Sequence, residues 1–270
     1  MTDITPPPGA CDCHAHVYGP PKLYPVRPGA RYVPPDRGLA AYKQMLAGIG
    51  IGRAVVVQPT VYVDNRATAD ALAASGGQWR GVAKFTGDRM DADLAAMDRQ
   101  GFRGVRIHGT GDTREFAQLE SIANRIAPLG WHIQLHAEAR HLPDLEARLL
   151  GLPVPVVLDH FARVDPTQGA DSASMRIVLR LLASGRCWLK LSGYYIVSRI
   201  AFPYADLEPI ARALIAARPD RLVWGSNWPH PSQEDMPDEA ELLGLLRHWT
   251  GDAKLADAIL STNPATLYRY

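Results

Sequence analysis

The chain has only three cysteines, Cys11, Cys13 and Cys187, and no Cys-x-x-Cys pair. That is too few for a disulfide framework. No apolar run reaches the roughly 20 residues needed to span a bilayer. The opening Met-Thr-Asp-Ile-Thr-Pro-Pro-Pro has neither the basic nor the apolar region of a secretory signal. Neither sign of charge dominates, since 29 Lys and Arg against 28 Asp and Glu leave a net charge of +1. Nucleic acid and membrane surfaces are therefore not expected partners. No Gly-x-Gly-x-x-Gly follows the first strand-like run, which weakens a dinucleotide-binding open sheet. The expectation left by these absences is a protein of the reducing cytoplasm.

What is present is an alternation. With 270 residues, 47% of them hydrophobic, the chain can bury one large core. Runs of strand length rich in Val, Ile and Leu alternate with stretches of helical period. Strands are expected at Ala10–Val17, Arg53–Thr60, Trp79–Phe85, Phe102–His108, His132–Ala137, Val154–Phe161, Cys187–Gly193 and Leu222–Asn227. Helices are expected at Asp36–Ile49, Asn65–Ser75, Asp91–Gln100, Thr113–Pro128, Leu142–Leu150, Ser172–Ser184, Tyr204–Ala217, Glu234–Trp249 and Asp252–Leu260. Eight strands, each followed by a helix, predict an α/β fold: a single-domain (β/α)8 TIM barrel over residues 10–270. Residues 1–9 read as a flexible arm, and the Pro- and Gly-rich stretch Gly19–Pro35 as a lid or substrate wall.

Barrel chemistry gathers where the strands end at the C-terminal face. The first strand ends in Cys11-Asp12-Cys13-His14-Ala15-His16. Side chains alternate along a strand, so His14 and His16 should share a face, with Asp12 below them and both cysteines on the opposite face. Other strand ends supply Gln58 and Thr60, Arg106 and His108, His136, His160 with Arg163, Ser192, and Asn227. A lone strand histidine is more often a packed core residue, and His132 and His230 are read that way. Histidines at the mouths of strands one, five and six together are harder to explain by packing. Arg106, Arg163 and Arg199 around one mouth suit a carboxylated ligand, because a guanidinium can grip a carboxylate with two parallel bonds. Arg103 has the opposite parity and reads as an ordinary ion pair. Lys84 and Lys190 read as paired inside the barrel, with Asp12 a candidate partner. Tyr194 and Tyr195 follow strand seven, and Tyr194 is the candidate phenol of the substrate site. Tyr268 and Tyr270 read as packing at the barrel floor.

Six segments, taken in order, resemble the amidohydrolase superfamily, and within it the lactonase branch of the 2-pyrone-4,6-dicarboxylate hydrolase type. They are Asp12-Cys13-His14-Ala15-His16, Val57-Gln58-Pro59-Thr60, Arg103-Gly104-Val105-Arg106, Leu158-Asp159-His160, Leu189-Lys190-Leu191-Ser192-Gly193 and Trp224-Gly225-Ser226-Asn227-Trp228-Pro229-His230. The resemblance implies a barrel hydrolase that opens a cyclic ester, with His14, His16 and His160 around the ring carbonyl and arginines on the substrate's carboxylates. It also implies an Asp at the end of strand eight to activate water. This chain has Asn227 there, and a carboxamide cannot take the water's proton. Two explanations follow: an inactivating Asp→Asn replacement, the preferred one, or a natural Asn serving another base or another reaction. The alternatives on the same barrel are a decarboxylase, a lactone isomerase, or a non-catalytic anion binder.

His14, His16 and His136 could supply three imidazoles to a zinc ion. Without an anionic strand-eight ligand, a metal-free site is the preferred expectation. The expected substrate-binding set is Thr60, Arg106, His136, Arg163, Arg199 and Tyr194, and the expected partner is a small anionic cyclic ester. Homo-oligomerisation stays open.

Overall fold

In the computed structural model, residues 5–30, 32–85, 94–231, 233 and 238–270 are described. The strands run β1 (Cys11–Ala15), β2 (Arg53–Val57), β3 (Trp79–Ala83), β4 (Phe102–Gly109), β5 (His132–Ala137), β6 (Val156–Leu158), β7 (Cys187–Leu191) and β8 (Leu222–Trp224). They lie side by side in chain order and each ladder between neighbours is parallel. The helices are α1 (Leu39–Gly48), α2 (Arg66–Ala73), α3 (Leu94–Gln100), α4 (Leu119–Ile126), α5 (Leu142–Gly151), α6 (Ala173–Ala183), a short α7 (Tyr194–Val197), α8 (Glu208–Ala217), α9 (Glu239–Thr250), α10 (Ala253–Asp257) and α11 (Asn263–Tyr268). The architecture is a (β/α)8 barrel, as the alternation predicts. The expected helix starts at Asp91 and Glu234 lie outside the described residues. No helix among the described residues is long and apolar enough to cross a membrane.

Local chemistry moves several boundaries. Tyr204 has φ +56°, so the expected helix begins only at Glu208, with Pro209 in the first turn where its missing N–H is not needed. The chain's last expected helix continues past Leu260 through a π turn (Ala258–Thr262) into α11, which carries Tyr268 to the barrel floor. Residues 5–9 lie against this region: Pro8 O accepts from Ser261 Oγ at 2.9 Å.

The strands are apolar on both faces because both are covered. One face packs on the helices, as with Val56, Val105, Leu135 and Leu189. The other forms a second cluster of Cys11, Cys13, Val55, Val57, Val82, Val157, Trp188, Val223 and Tyr268. Side chains from six strands of a closed barrel can meet this way only across its lumen. This corrects the expected parity of β1. The register of β1 against β2 shifts between Asp12 and Ala15. Above that irregularity His14 and His16 face the lumen, below it Cys11 and Cys13 do, and Asp12 turns away from both histidines.

The seam between β8 and β1 carries no ladder among the described residues, only one bridge between Ala15 and Trp228. It is closed by Asn227 N–H donating to His14 O and His16 N–H donating to Trp228 O, each at 2.8 Å. The Asp12 carboxylate completes it. It accepts from the backbone N–H of His14 (3.1 Å) and of Ser226 (2.9 Å), from Ser226 Oγ (2.6 Å), and from Tyr42 OH on α1 (2.9 Å). Gly225 is required at this crossing, since a Cβ there would lie 2.7 Å from His14 Cβ. Replacing Asp12 with Ala would orphan four buried donors, each worth about 1–3 kcal/mol when left unpaired. Asp12→Ala is expected to lower the unfolding free energy by about 3–5 kcal/mol after partial relaxation. Urea denaturation checks this, and a loss below about 1 kcal/mol would show that the seam holds without the carboxylate.

Candidate active site

Four ring pairs connect five imidazoles at the C-terminal mouth. Centroids lie 5.1 Å apart for His14 and His16, 4.6 Å for His14 and His160, 5.0 Å for His136 and His160, and 4.8 Å for His108 and His136. A cavity of about 130 Å³ opens beside them, lined in part by His16, Thr60, Arg106, His136, His160 and Asn227. Tyr32, from the long loop after β1, and Ile196 also face it. Two roomier hollows, about 330 and 470 Å³, are lined by no histidine. Chemistry, not volume, locates the site.

Each imidazole is held by its neighbours. His16 Nδ1 lies 2.8 Å from Val57 O, and a carbonyl only accepts, so Nδ1 carries the proton and Nε2 is left as an acceptor. His14 Nδ1 lies 3.3 Å from Asp159 Oδ1, which favours the same tautomer. His136 Nδ1 faces the Arg106 guanidinium at 3.0 Å, so there Nδ1 accepts and Nε2 holds the proton. His160 Nδ1 is 2.9 Å from Ser192 Oγ. The backbone that delivers His160 is unusual: His160, Phe161, Ala162 and Arg163 all have φ near +50°. One left-handed turn of non-glycine residues costs roughly 4–8 kcal/mol at about 1–2 kcal/mol per residue. It turns His160 inward and brings Arg163 Nη1 to 3.4 Å from His136 Nε2. Gly193, at φ +60°, leaves room for the His160 ring, where a Cβ would sit 2.6 Å from Nδ1.

Asp159 is the anion of this layer. Its Oδ2 accepts from Arg106 Nε at 2.9 Å and Gln134 Nε2 at 3.1 Å, and Arg106 Nη2 also lies 2.9 Å away. Burial alone would raise its pKa, but Arg106, His14 and Lys190 hold it well below the usual carboxylate range. Burial keeps the imidazoles neutral: His16 and His160 are pushed down to about 3, and His14 and His136 lie well below the ordinary value. Burial also pulls Lys190 down to about 8, above neutral pH.

Asn227 sits in the site at φ +63°, a conformation that Asn tolerates better than most side chains. Its Nδ2 donates to Tyr195 OH at 2.7 Å, and its buried Oδ1 has no partner.

The structure thus brings together His14, His16, His136, His160, Thr60, Arg106, Arg163 and Asn227. Two expected residues stand elsewhere. Tyr194 is fully buried in the outer layer, where Trp224 Nε1 donates to its hydroxyl at 3.0 Å, and Tyr195 takes the inward position. The turn of α7 reverses the pair. Arg199 is mostly exposed, 3.7 Å from Asp165, and does not line the cavity. The expected zinc trio His14, His16 and His136 also fails to cluster. Among the described residues, the ligand atoms that gather within 4.8 Å belong to His14, Asp159 and His160. His132 and His230 are structural as expected, one against Tyr268 and the other 3.1 Å from Glu239. Lys84 pairs with Glu115, not Asp12. Sequence reasoning passed over Asp159, although its parity with Val157 in the lumen would have found it.

The neutral imidazoles predict an acid-labile fold. In the unfolded chain a histidine binds its proton near pH 6.5, but His16, His160 and the equally buried His132 do so only near pH 3. Unfolding therefore takes up protons between those limits, and stability falls as pH drops below about 6.5. The loss should approach 2 kcal/mol per group by about pH 5, at roughly 1.4 kcal/mol per pH unit. Denaturation at a series of pH values measures it, and uptake of fewer than about one proton on unfolding would contradict the buried neutral state.

Comparison with characterised proteins agrees with this architecture. The chain is 37% identical to a 2-pyrone-4,6-dicarboxylate hydrolase from Comamonas testosteroni, over 97% of this chain and 90% of that protein. It is 29% identical to a D-galactarolactone isomerase from Agrobacterium fabrum, over 97% and 92%. A crystal structure of an Agrobacterium tumefaciens protein in its apo form superposes with a TM-score of 0.90 at 30% identity, covering 98% of this chain and 97% of the other. The Amidohydrolase profile matches from residue 11 to residue 270, and the chain belongs to that family.

Proposed function

We propose that the protein opens the ring ester of a carboxylated lactone or pyrone, with water attacking the ring carbonyl. One observation carries this: neutral imidazoles and a guanidinium from four different strands converge on one small cavity. The related hydrolase named for 2-pyrone-4,6-dicarboxylate supports the substrate class.

Roles follow from the hydrogen-bond directions. His14 and His16 present Nε2 lone pairs, so they accept the proton of the attacking group. His136 presents an N–H, and with Arg106 it stabilises the oxyanion. Arg163 approaches a nitrogen that cannot accept from it while Arg106 holds the other, so it is free to bind a substrate carboxylate. Thr60 and Tyr195 shape the remaining wall.

A metal does not fit this donor set. Asp159 is the cluster's one carboxylate, and Arg106 already takes its Oδ2 while Lys190 stands 3.8 Å from Oδ1. A dication would add two positive charges beside two buried cations and a single anion. The protein's own residues therefore carry the reaction.

Asn227 favours a second reading. Imidazoles with a pKa near 3 are weak bases at neutral pH, and the strand-eight side chain offers no carboxylate. A hydroxyl already on the substrate needs less activation than water, because a well-placed intramolecular group can act with an effective concentration of about 10⁵–10⁸ M. The product is then an isomeric lactone, and a relative named as a lactone isomerase is consistent with it.

The test uses carboxylated lactones with and without a ring hydroxyl, in ¹⁸O-labelled water. Hydrolysis places label in the product, whereas isomerisation leaves it unlabelled. Turnover should survive exhaustive chelation, and Arg106→Met should lower kcat/KM by about 10²-fold or more. Asn227→Asp should raise hydrolysis by roughly 10²–10⁴-fold. If neither wild type nor Asn227→Asp acts on any such lactone, the reading fails. A rise in Tm without turnover would instead identify a non-catalytic anion binder.

A further inference from the structure

Beneath the imidazoles lies a cation to which the reaction above assigns no step. Lys190, on β7, is fully buried, and its Nζ donates to Cys13 O at 2.8 Å and to Gln134 Oε1 at 2.7 Å. Its third direction faces Asp159 Oδ1 at 3.8 Å. This is the same oxygen that lies 3.3 Å from His14 Nδ1. With two protons donated, the third turned toward Asp159 and no exposed surface, the amine is neither a nucleophile nor a substrate contact. It stands under the one carboxylate that a metal could claim. We propose that Lys190 is the site's resident cation, occupying the electrostatic place of a divalent metal and keeping the His14–Asp159–His160 cluster closed to such an ion.

Three observations support the assignment. First, His14, Asp159 and His160 already hold their ligand atoms within 4.8 Å of one another, so gathering of donors is not what is missing. Second, His14 Nε2 is buried without a hydrogen-bond partner, a nitrogen with the chemistry of a ligand. Third, the charge is wrong. Asp159 supplies one negative charge, and Arg106 and Lys190 both stand against it. Of these two, Arg106 lines the cavity and is needed there, whereas Lys190 lies below it, against Cys13, Gln134, Asp159 and the Tyr268 ring. Removing the lysine's charge should therefore open the cluster to a metal with the cavity wall intact. The inference rests on the proposed site only for its meaning. Its readout is metal content, so it can fail while lactone turnover stands, or stand while turnover fails.

The experiment uses tag-free full-length protein, stripped with chelator and dialysed against Zn²⁺ or Co²⁺. Wild type should retain no tightly bound ion. Lys190→Met, of similar length and uncharged, should gain at least about tenfold in Zn²⁺ affinity and approach one ion per chain, with the visible absorption of Co²⁺ bound by nitrogen and oxygen ligands. His14→Ala in the Lys190→Met background should abolish the gain, a result that surface binding at other histidines would not give. Lys190→Gln provides a second neutral variant should the first fold poorly. Stoichiometric Zn²⁺ in wild type that His14→Ala removes would overturn the assignment. So would a folded Lys190→Met or Lys190→Gln, verified by circular dichroism, that binds no more metal than wild type. If neither variant folds, the wild-type titration decides alone, with tight binding at His14 refuting the assignment and its lack supporting it.

Discussion

Closing a barrel means joining its last strand to its first, and here that join depends on a carboxylate. Between β8 and β1 the ordinary ladder gives way to one bridge and two backbone hydrogen bonds. Asp12 binds both sides of the gap and reaches out to Tyr42 on α1 as well. Burial raises its pKa while those four bonds pull the other way, as expected where desolvation is offset by well-placed donors. The functional consequence is positional. The backbone atoms joined across the seam belong to His14, His16, Asn227 and Trp228, so the constraint that closes the fold also sets the distance between the imidazole pair and the strand-eight side chain. A site divided between the first and last strands can be no more rigid than this seam.

Inside the barrel the charges are arranged in layers. The floor is apolar, made by Cys11, Cys13, valines and Tyr268. Above it Lys190, Gln134, Asp159 and Arg106 form a polar layer of paired charges, and the neutral imidazoles come next, facing the cavity. Such a layer is stable only when each member is paired, because in a low-dielectric interior an unpaired charge costs far more than a paired one returns. Asp159 fixes Arg106 and faces His14, so it acts on the cavity through its neighbours without lining it. The left-handed turn at His160 belongs to the same arrangement. Its conformational cost is offset by the complete burial of Phe161 against Tyr194 and Trp249, which anchors the turn from the outer layer.

The sequence carried much of this and concealed a specific part. Alternating apolar runs fix a barrel because only helices on the outside can cover a parallel sheet, and strand ends fix the mouth. His14, His16, His136, His160 and Arg106 were legible on those grounds. What was hidden depends on single backbone events. A register shift within β1 places the cysteines and the histidines on the same side of the strand, which a strict period of two forbids. A tight turn at Gly193 sends Tyr194 outward and Tyr195 inward, although adjacent residues look equivalent in the sequence. Arg199 follows β7 closely in the chain, yet its loop is held by Asp206, whose Oδ2 accepts its backbone N–H at 2.7 Å, and its side chain faces Asp165. Asp159 was overlooked beside the more conspicuous His160, because its partners come from strands four, five and seven and no local pattern announces them.

Asn227 changes what the mouth of the barrel asks of a substrate. A carboxylate there would be an acceptor, drawing protons from water and repelling an approaching acid. The carboxamide is a donor through Nδ2, already engaged with Tyr195, and leaves a buried Oδ1 that a hydroxyl could satisfy. On the proposed reading, Arg106 in the cavity wall and Arg163 beside His136 would favour ligands that bring both a negative charge and a hydroxyl of their own. Acyl transfer then depends on which nucleophile reaches the carbonyl already positioned. Water must be captured from solvent and deprotonated by imidazoles held neutral by burial. On the second proposed reading, a substrate hydroxyl bonded to Asn227 Oδ1 would arrive with the ring, its orientation entropy settled on binding. Under the two proposed readings the same cavity serves either ring opening by water or exchange of one ring ester for another, and the side chain at strand eight is where the two differ.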